Sequence, residues 1–291
     1  MLRWLLGKGA KSARVERELA AIEPARWSRV LERYAFLRGL NADEEAALRH
    51  RSAWVLASKG FSGAQGLLVT DEMKLAVAVQ AALPIMHLDP RLYEGWTEIV
   101  LYPGGFVIPR TDVDESGVVH EYLEEASGEA WEGGPLILSW EDCAPGPRDD
   151  VNVVIHEFVH KLDLYHGEAD GMPWLGRHGP LSAARWHAVL QASYDDFCAR
   201  VETVEAAIPA DIDPESHDAE PWYVTLPLDA YAATDTAEFF AVSAESFFVN
   251  PASLAACYPD WYRLLAQYFR QDPLTRLGME PAAPPPLPSE A

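Results

Sequence analysis

Two histidines four residues apart, His156 and His160, enclose a glutamate, Glu157, in the pattern His-Glu-x-x-His. On a helix, residues four apart share a face, separated by about 6 Å along the axis. Two imidazoles so placed can pinch one metal ion. Glu157 lies about 100° round the helix from His156. It is too far round to share the metal squarely, yet close enough to reach a water beside it. The chemistry is that of a zinc ion held by two His ligands, with a carboxylate as general base for hydrolysis. The rival is a plain core helix. A His-Glu-His face inside the apolar run from Val151 to Leu164 would be costly to bury without a partner.

A catalytic zinc site takes three protein ligands and leaves a position for water. A third ligand must therefore come from elsewhere in the chain. The apolar stretch 231–248 carries two acids seven residues apart, Glu238 and Glu245, which face nearly the same way on a helix. Glu238 also reads as a first-turn acid favouring the helix dipole, and Glu245 as a partner orienting a ligand imidazole. Spacing alone leaves both open as the third ligand.

The elements that must position these groups follow from the rest of the pattern. Residues 1–13 are basic and read as a loose N-terminus. Helical signals run from 14 to 83. Pro24 fits a first turn, Asn41 with Glu44 fits a capping box before a helix that Gly60 stops, and Thr70 caps a third helix ending near Pro84. From 97 to 140 the period changes. Residues 98–102 and 106–108 read as strands around Pro103-Gly104-Gly105, 117–123 alternates, and 135–140 is a further short strand. A metal helix over 150–166 follows, with Asp149 and Asp150 as cap candidates and Gly167 as its stop. The spacing then predicts a helix over 181–204, a proline- and acid-rich surface connection over 206–230, a third-ligand helix over 235–249, and a helix near 260–271. The tail 279–291 is rich in proline and reads as disordered.

The whole chain narrows the function classes. Its 291 residues carry a net charge of −22, which repels phosphate backbones and argues against nucleic-acid binding. No apolar run reaches the length of a membrane span, and the apolar core of the first eight residues is too short for a secretory signal. Cys143, Cys198 and Cys257 show neither a disulfide framework nor a metal knuckle. A reduced, cytoplasmic setting is the expectation.

The chain resembles the Mlc titration factor A family of bacterial zinc metallopeptidases over residues 25–278. The matching pieces are Gly117-Val118-Val119-His120, Gly128-Glu129-Ala130-Trp131, the stretch from Gly134 to Trp140, and the run from His156 to Asp163. Tyr231-Ala232-Ala233-Thr234-Asp235, Glu238 and Gln271-Asp272-Pro273-Leu274 complete them. Thr236 stands where family members often have proline. The resemblance implies His156, His160 and Glu238 as zinc ligands and Glu157 as base. It also implies His120 at the metal, where a fourth ligand would displace water and close the site. The spacing from Tyr231 to Glu238 is similar to that in the catalytic domain of anthrax lethal factor, which implies Tyr231 as oxyanion donor. Asp163, three residues after His160, reads as orienting an imidazole, as does Glu245.

The expectation is an α+β, zincin-like metallopeptidase domain over 14–278: a helical layer, a small sheet, the metal helix and its supports. The resemblance implies an aminopeptidase-like zinc enzyme acting on peptides. It also implies a regulatory role through a Mlc-like transcriptional repressor as protein partner. The alternative is a binding protein whose zinc is mainly structural.

Overall fold

The computed structural model describes residues 2–113, 119–131, 133–144, 151–176, 181–214 and 216–288. The first helix, α1 (Leu2–Ala21), begins inside the segment expected to be loose. Helix-forming Leu, Lys, Arg and Ala outweigh Gly7 and Gly9 there. Helix α2 (Pro24–Arg33) has its proline in the first turn. Helix α3 (Ala42–Ser58) opens on the expected capping box: Asn41 accepts from the Asp43 and Glu44 amides, and Glu44 accepts from the Asn41 amide. Strand β1 (Gly60–Gly63) comes next. Helix α4 (Asp71–Ala82), capped by Thr70, is buried on every side from Leu75 to Ala82. A helix apolar all round has to be enclosed, and α4 lies at the centre of the helical layer.

Five further strands follow: β2 (Glu98–Tyr102), β3 (Phe106–Val113), β4 (Val119–Ala126), β5 (Gly128–Ala130) and β6 (Leu136–Ser139). The main sheet has the order β1-β2-β6-β5. Strands β1, β2 and β6 are parallel, and β5 is antiparallel to β6 at the end of the sheet. Gly60 stops a helix as expected, but it also opens a strand that local pattern does not reveal. Its partner lies 38 residues on, at Glu98, and parallel pairs leave no hairpin signature. The strands either side of Pro103-Gly104-Gly105 are real, yet they belong to different sheets. Strand β2 uses both its edges on β1 and β6, so β3 pairs with β4 instead.

Helix α5 (Val153–Asp163) carries the His-Glu-x-x-His pattern. It starts later than the pattern suggested, because Asn152 is its cap and accepts from the Ile155 amide at 2.9 Å. Asp149 and Asp150 lie outside the described residues. Then come α6 (Ala183–Ala206), α7 (Glu220–Tyr223), α8 (Thr236–Val249), α9 (Pro251–Cys257), α10 (Pro259–Phe269) and α11 (Pro273–Leu277). The expected surface connection between α6 and α8 is partly internal: it buries Ala219, Leu226 and Leu228. The expected disordered tail is laid down as far as residue 288. The Ala282 amide donates to Ala252 O at 3.1 Å, and Leu287 packs against the core. Prolines have little backbone freedom to lose, so ordering them costs less than composition suggests.

One apolar cluster runs from Val15 to Phe269. Helix α8 is buried at every residue from Phe239 to Phe248, against an aromatic group in which the Trp186 ring lies 4.8 Å from Trp261 and 5.7 Å from Phe240. Packing α8 against α5 brings the two acids of α8 to the two histidines of α5. Among the described residues, no helix is long and apolar enough to cross a membrane.

Candidate metal centre

The Nε2 atoms of His156 and His160 lie 3.1 Å apart. Glu238 Oε2 is 3.2 Å from the first and 3.3 Å from the second. Two ring nitrogens facing each other at this distance need a shared proton or a cation between them. Zinc–nitrogen bonds are about 2.0–2.1 Å, and the edge of a tetrahedron with such bonds is about 3.3 Å. The three donors therefore stand at the spacing a tetrahedral ion requires. They form the metal-capable group of His, Cys, Asp and Glu among the described residues.

The charges of the three groups are strongly coupled. Burial opposes the His156 cation, but the carboxylates of Glu238, Glu245 and Glu157 outweigh it and raise its pKa well above the ordinary value. Burial also opposes ionised Glu238, yet the two imidazoles hold its pKa far below the carboxylate range. A metal cation would supply the charge that these groups otherwise take from protons.

The two acids of α8 separate by height. Glu238 meets the Nε2 side of both rings, whereas Glu245 Oε2 lies 3.4 Å from His156 Nδ1. Its other oxygen accepts from the Asn152 amide at the start of α5. The Asn152 side chain in turn donates to Gln80 Oε1 of α4 at 2.7 Å. Glu245 is thus placed to fix the tautomer and tilt of His156, and it also ties α8 to the N-terminus of α5.

Glu157 is 5% exposed, and burial raises its pKa. Strand β5 crosses directly over it. A Cβ built on Gly128 would lie 2.4 Å from Glu157 Oε1, 2.5 Å from its Cγ and 2.7 Å from its Cδ. Only glycine allows this approach. Lys161, one turn on from Glu157, fixes the turn that follows β5: its Nζ donates to Trp131 O at 2.6 Å and Gly134 O at 3.1 Å. It also lies over the Trp96 ring. Burial pulls its pKa down to about 8. Neither Gly128 nor Lys161 has a task that its local sequence reveals. The available signal was a lysine interrupting the apolar helix and a glycine opening a strand.

Tyr231 sits on a tight helical turn, Ala230–Ala233, whose cap Asp229 accepts from the Tyr231 amide. It is 46% exposed, with its ring 6.3 Å from that of His156. Asp163, expected beside an imidazole, is fully buried and accepts from the Gly171 amide at 2.7 Å. Its Oδ1 has no hydrogen-bond partner among the described residues, and burial pushes its pKa up to about 7. It holds the loop after α5 against the start of α8, where Thr236 Oγ1 donates to Asp170 O. His120 pairs with Asp112 along the β3–β4 hairpin; its side chain lies outside the described residues.

His156, Glu157, His160, Tyr231, Glu238 and Glu245 line one cleft of about 1230 Å³. Strand β5 forms one side, α5 and α8 the floor, and the segment before Tyr231 the other side. Among the described residues, its lining contains no lysine or arginine.

Residues 9–270 match the glucose-regulated metallo-peptidase M90 family. A protein of Serratia proteamaculans named Mlc titration factor A is 35% identical over 258 residues, covering 87% of this chain and 89% of that protein. Proteins of the same name from Yersinia pestis and Yersinia pseudotuberculosis are each 31% identical over 279 residues, covering 95% of this chain and 93% of theirs.

Proposed function

We propose, from the premise that this chain belongs to the M90 family of glucose-regulated metallopeptidases, that it is a zinc-dependent, aminopeptidase-like peptidase. The observation that carries the reading is the spacing of His156, His160 and Glu238 at a tetrahedral edge. His156, His160 and Glu238 hold the metal, with His120 as a fourth ligand in the resting protein. Zinc, when bound, supplies a Lewis acid for the scissile carbonyl and acidifies water.

The remaining work belongs to this chain's side chains. The end of the sheet at β5 offers backbone groups to an extended peptide, which can add as a further strand. The Glu157 carboxylate takes a proton from the attacking water as its oxygen bonds to the carbonyl carbon. It then gives that proton to the leaving amine as the C–N bond breaks. The raised Glu157 pKa suits a group that must both accept and return a proton. The Tyr231 hydroxyl donates to the oxyanion of the tetrahedral intermediate. Its exposure in the cleft supports that role over a structural one. Glu245 orients His156, and Asp163 steadies the loop beside the site.

The relatives' name, Mlc titration factor A, supports a second, compatible role: binding a Mlc-like transcriptional repressor in the cytoplasm. In a protein that only bound a repressor, neither a base at 157 nor an exposed phenol at 231 would be needed. The test is elemental analysis of purified protein with aminoacyl and short-peptide reporter substrates, with and without chelator. One zinc per chain and chelator-sensitive turnover are expected. Absence of any transition metal would refute the reading, and bound zinc without turnover would leave the binding role alone.

A further inference from the structure

The cleft has an end, and the chain's own C-terminal segment makes it. Met279, Ala282, Pro284 and Pro285 line the same cavity as His156, His160 and Glu238. They do so at the far end of α8. The lining runs along α8 from Glu238 through Val242 and Ser246 to Asn250, and reaches Ala252 at the start of α9. Asn250, the C-cap of α8, lies twelve positions on from Glu238, a rise of about 18 Å. An extended peptide covers that distance in about five residues.

The segment is fastened there. Helix α11 ends at Gly278 in the left-handed conformation, with φ 64°. The Met279 amide donates to Leu274 O at 3.0 Å, and the Ala282 amide to Ala252 O at 3.1 Å. Leu287 packs on the core beyond the cleft. Pro281, Pro284, Pro285, Pro286 and Pro288 stiffen the run and remove the amides a strand partner would need. The segment can therefore block the cleft without itself pairing as a substrate strand. The family match stops at residue 270, so this wall lies beyond the part that the family defines.

We propose that residues 279–288 are a stop that closes the substrate cleft about five residues from the metal centre and so limits this peptidase to short peptides. The inference rests on the peptidase reading and sets its substrate length. A peptide reaching past the stop must displace it and lose the contacts of Ala282 and Leu287. A peptide ending short of it makes the same contacts at the centre at no such cost.

The test compares the full chain with a chain ending at Gly278, both zinc-loaded, on fluorogenic peptides from about four to about twelve residues. The full chain should lose kcat/KM by about tenfold or more as peptides pass the limit, whereas the shortened chain should cleave long and short peptides alike. Binding of the same peptides to Glu157→Gln forms of both chains, followed by fluorescence anisotropy, is the readout that needs no turnover. Long peptides should bind the shortened chain about tenfold more tightly than the full chain, with short peptides unchanged. If neither chain hydrolyses any peptide, the peptidase reading fails while the binding ratio still decides the stop. Should the shortened chain misfold, Pro284→Gly with Pro285→Gly and Leu287→Ser in the full chain loosens the wall and should shift the ratio the same way. The same length dependence in both chains, by turnover or by binding, overturns the inference.

Discussion

Gly128→Ala is the sharpest probe of the proposed base. Gly128 is absent from the glycines with positive φ, so alanine meets no backbone strain there. The whole effect is steric, and the three nearest atoms to the new methyl all belong to the Glu157 side chain. The closest approach of 2.4 Å is about 1 Å short of ordinary carbon contact. Glu157 must swing aside, and overpacking of this kind costs about 1–3 kcal/mol. A displacement of about 1 Å at a reacting group costs about 100-fold in rate. Gly128→Ala should therefore keep zinc and lose about two orders of magnitude in kcat. Glu157→Gln should keep zinc and lose about two to four orders. The decisive assay is the cycle: adding Gly128→Ala to Glu157→Gln should cost almost nothing further, because no base remains to misplace. Glu157→Asp, one methylene shorter, should recover part of the Gly128→Ala loss. In metal-free protein, urea unfolding should show Gly128→Ala destabilising the parent but not a Glu157→Ala background. An equal drop in both backgrounds would mean that Gly128 acts through the sheet and not through the base.

The other predictions concern the groups around the base. Glu238→Ala should weaken zinc binding far more than Glu245→Ala in a competition titration, since one oxygen faces both imidazoles and the other only orients one; the reverse order would mean the ligand assignment is wrong. Asp163 has a folded pKa of about 7 against an ordinary 3.8. The folded state thus binds the extra proton between these values, and stability should fall as pH rises through that window and then level off. Asp163→Asn should flatten this slope in urea unfolding of metal-free protein, and an unchanged difference between parent and variant across the window would refute it. His120→Ala should retain zinc and raise basal peptidase activity; a variant with normal zinc and lower activity would make His120 a substrate-side group.

What sequence reveals about the site follows from which interactions are local. His156, Glu157 and His160 lie within five residues of one helix, so periodicity alone orients them. Glu238 and Glu245 were indistinguishable because periodicity gives the angle of a residue around its helix and not its height against a neighbour. The packing of α8 on α5 decides that height, and α8 is itself held by aromatic contacts of Phe240 with Trp186 and Trp261, which come from two further helices. The caps at Asn41 and Thr70 were legible for the same local reason. Strand β1, the parallel pairing of β2 with β6, and the ordered tail depend on partners far away in the chain. Gly128 was visible as a residue, but its purpose appears only once β5 lies over Glu157.

The buried charges bear on the choice between enzyme and binding protein. Glu157, Glu245 and Asp163 are almost wholly buried, and Glu238 is largely so. Near them Lys161 is already committed to backbone carbonyls. The carboxylates of Glu238, Glu245 and Glu157 favour a proton on His156. A divalent ion relieves this, so metal binding should stabilise the fold as well as serve chemistry. Stabilisation by zinc is therefore expected on both readings and cannot separate them. The separating groups are those that do nothing for the ion. Glu157 adds a buried acid that a structural site would be better without, and Tyr231 leaves half its surface in the cleft. On the proposed function both groups have a task, which retention of a metal alone would not give them.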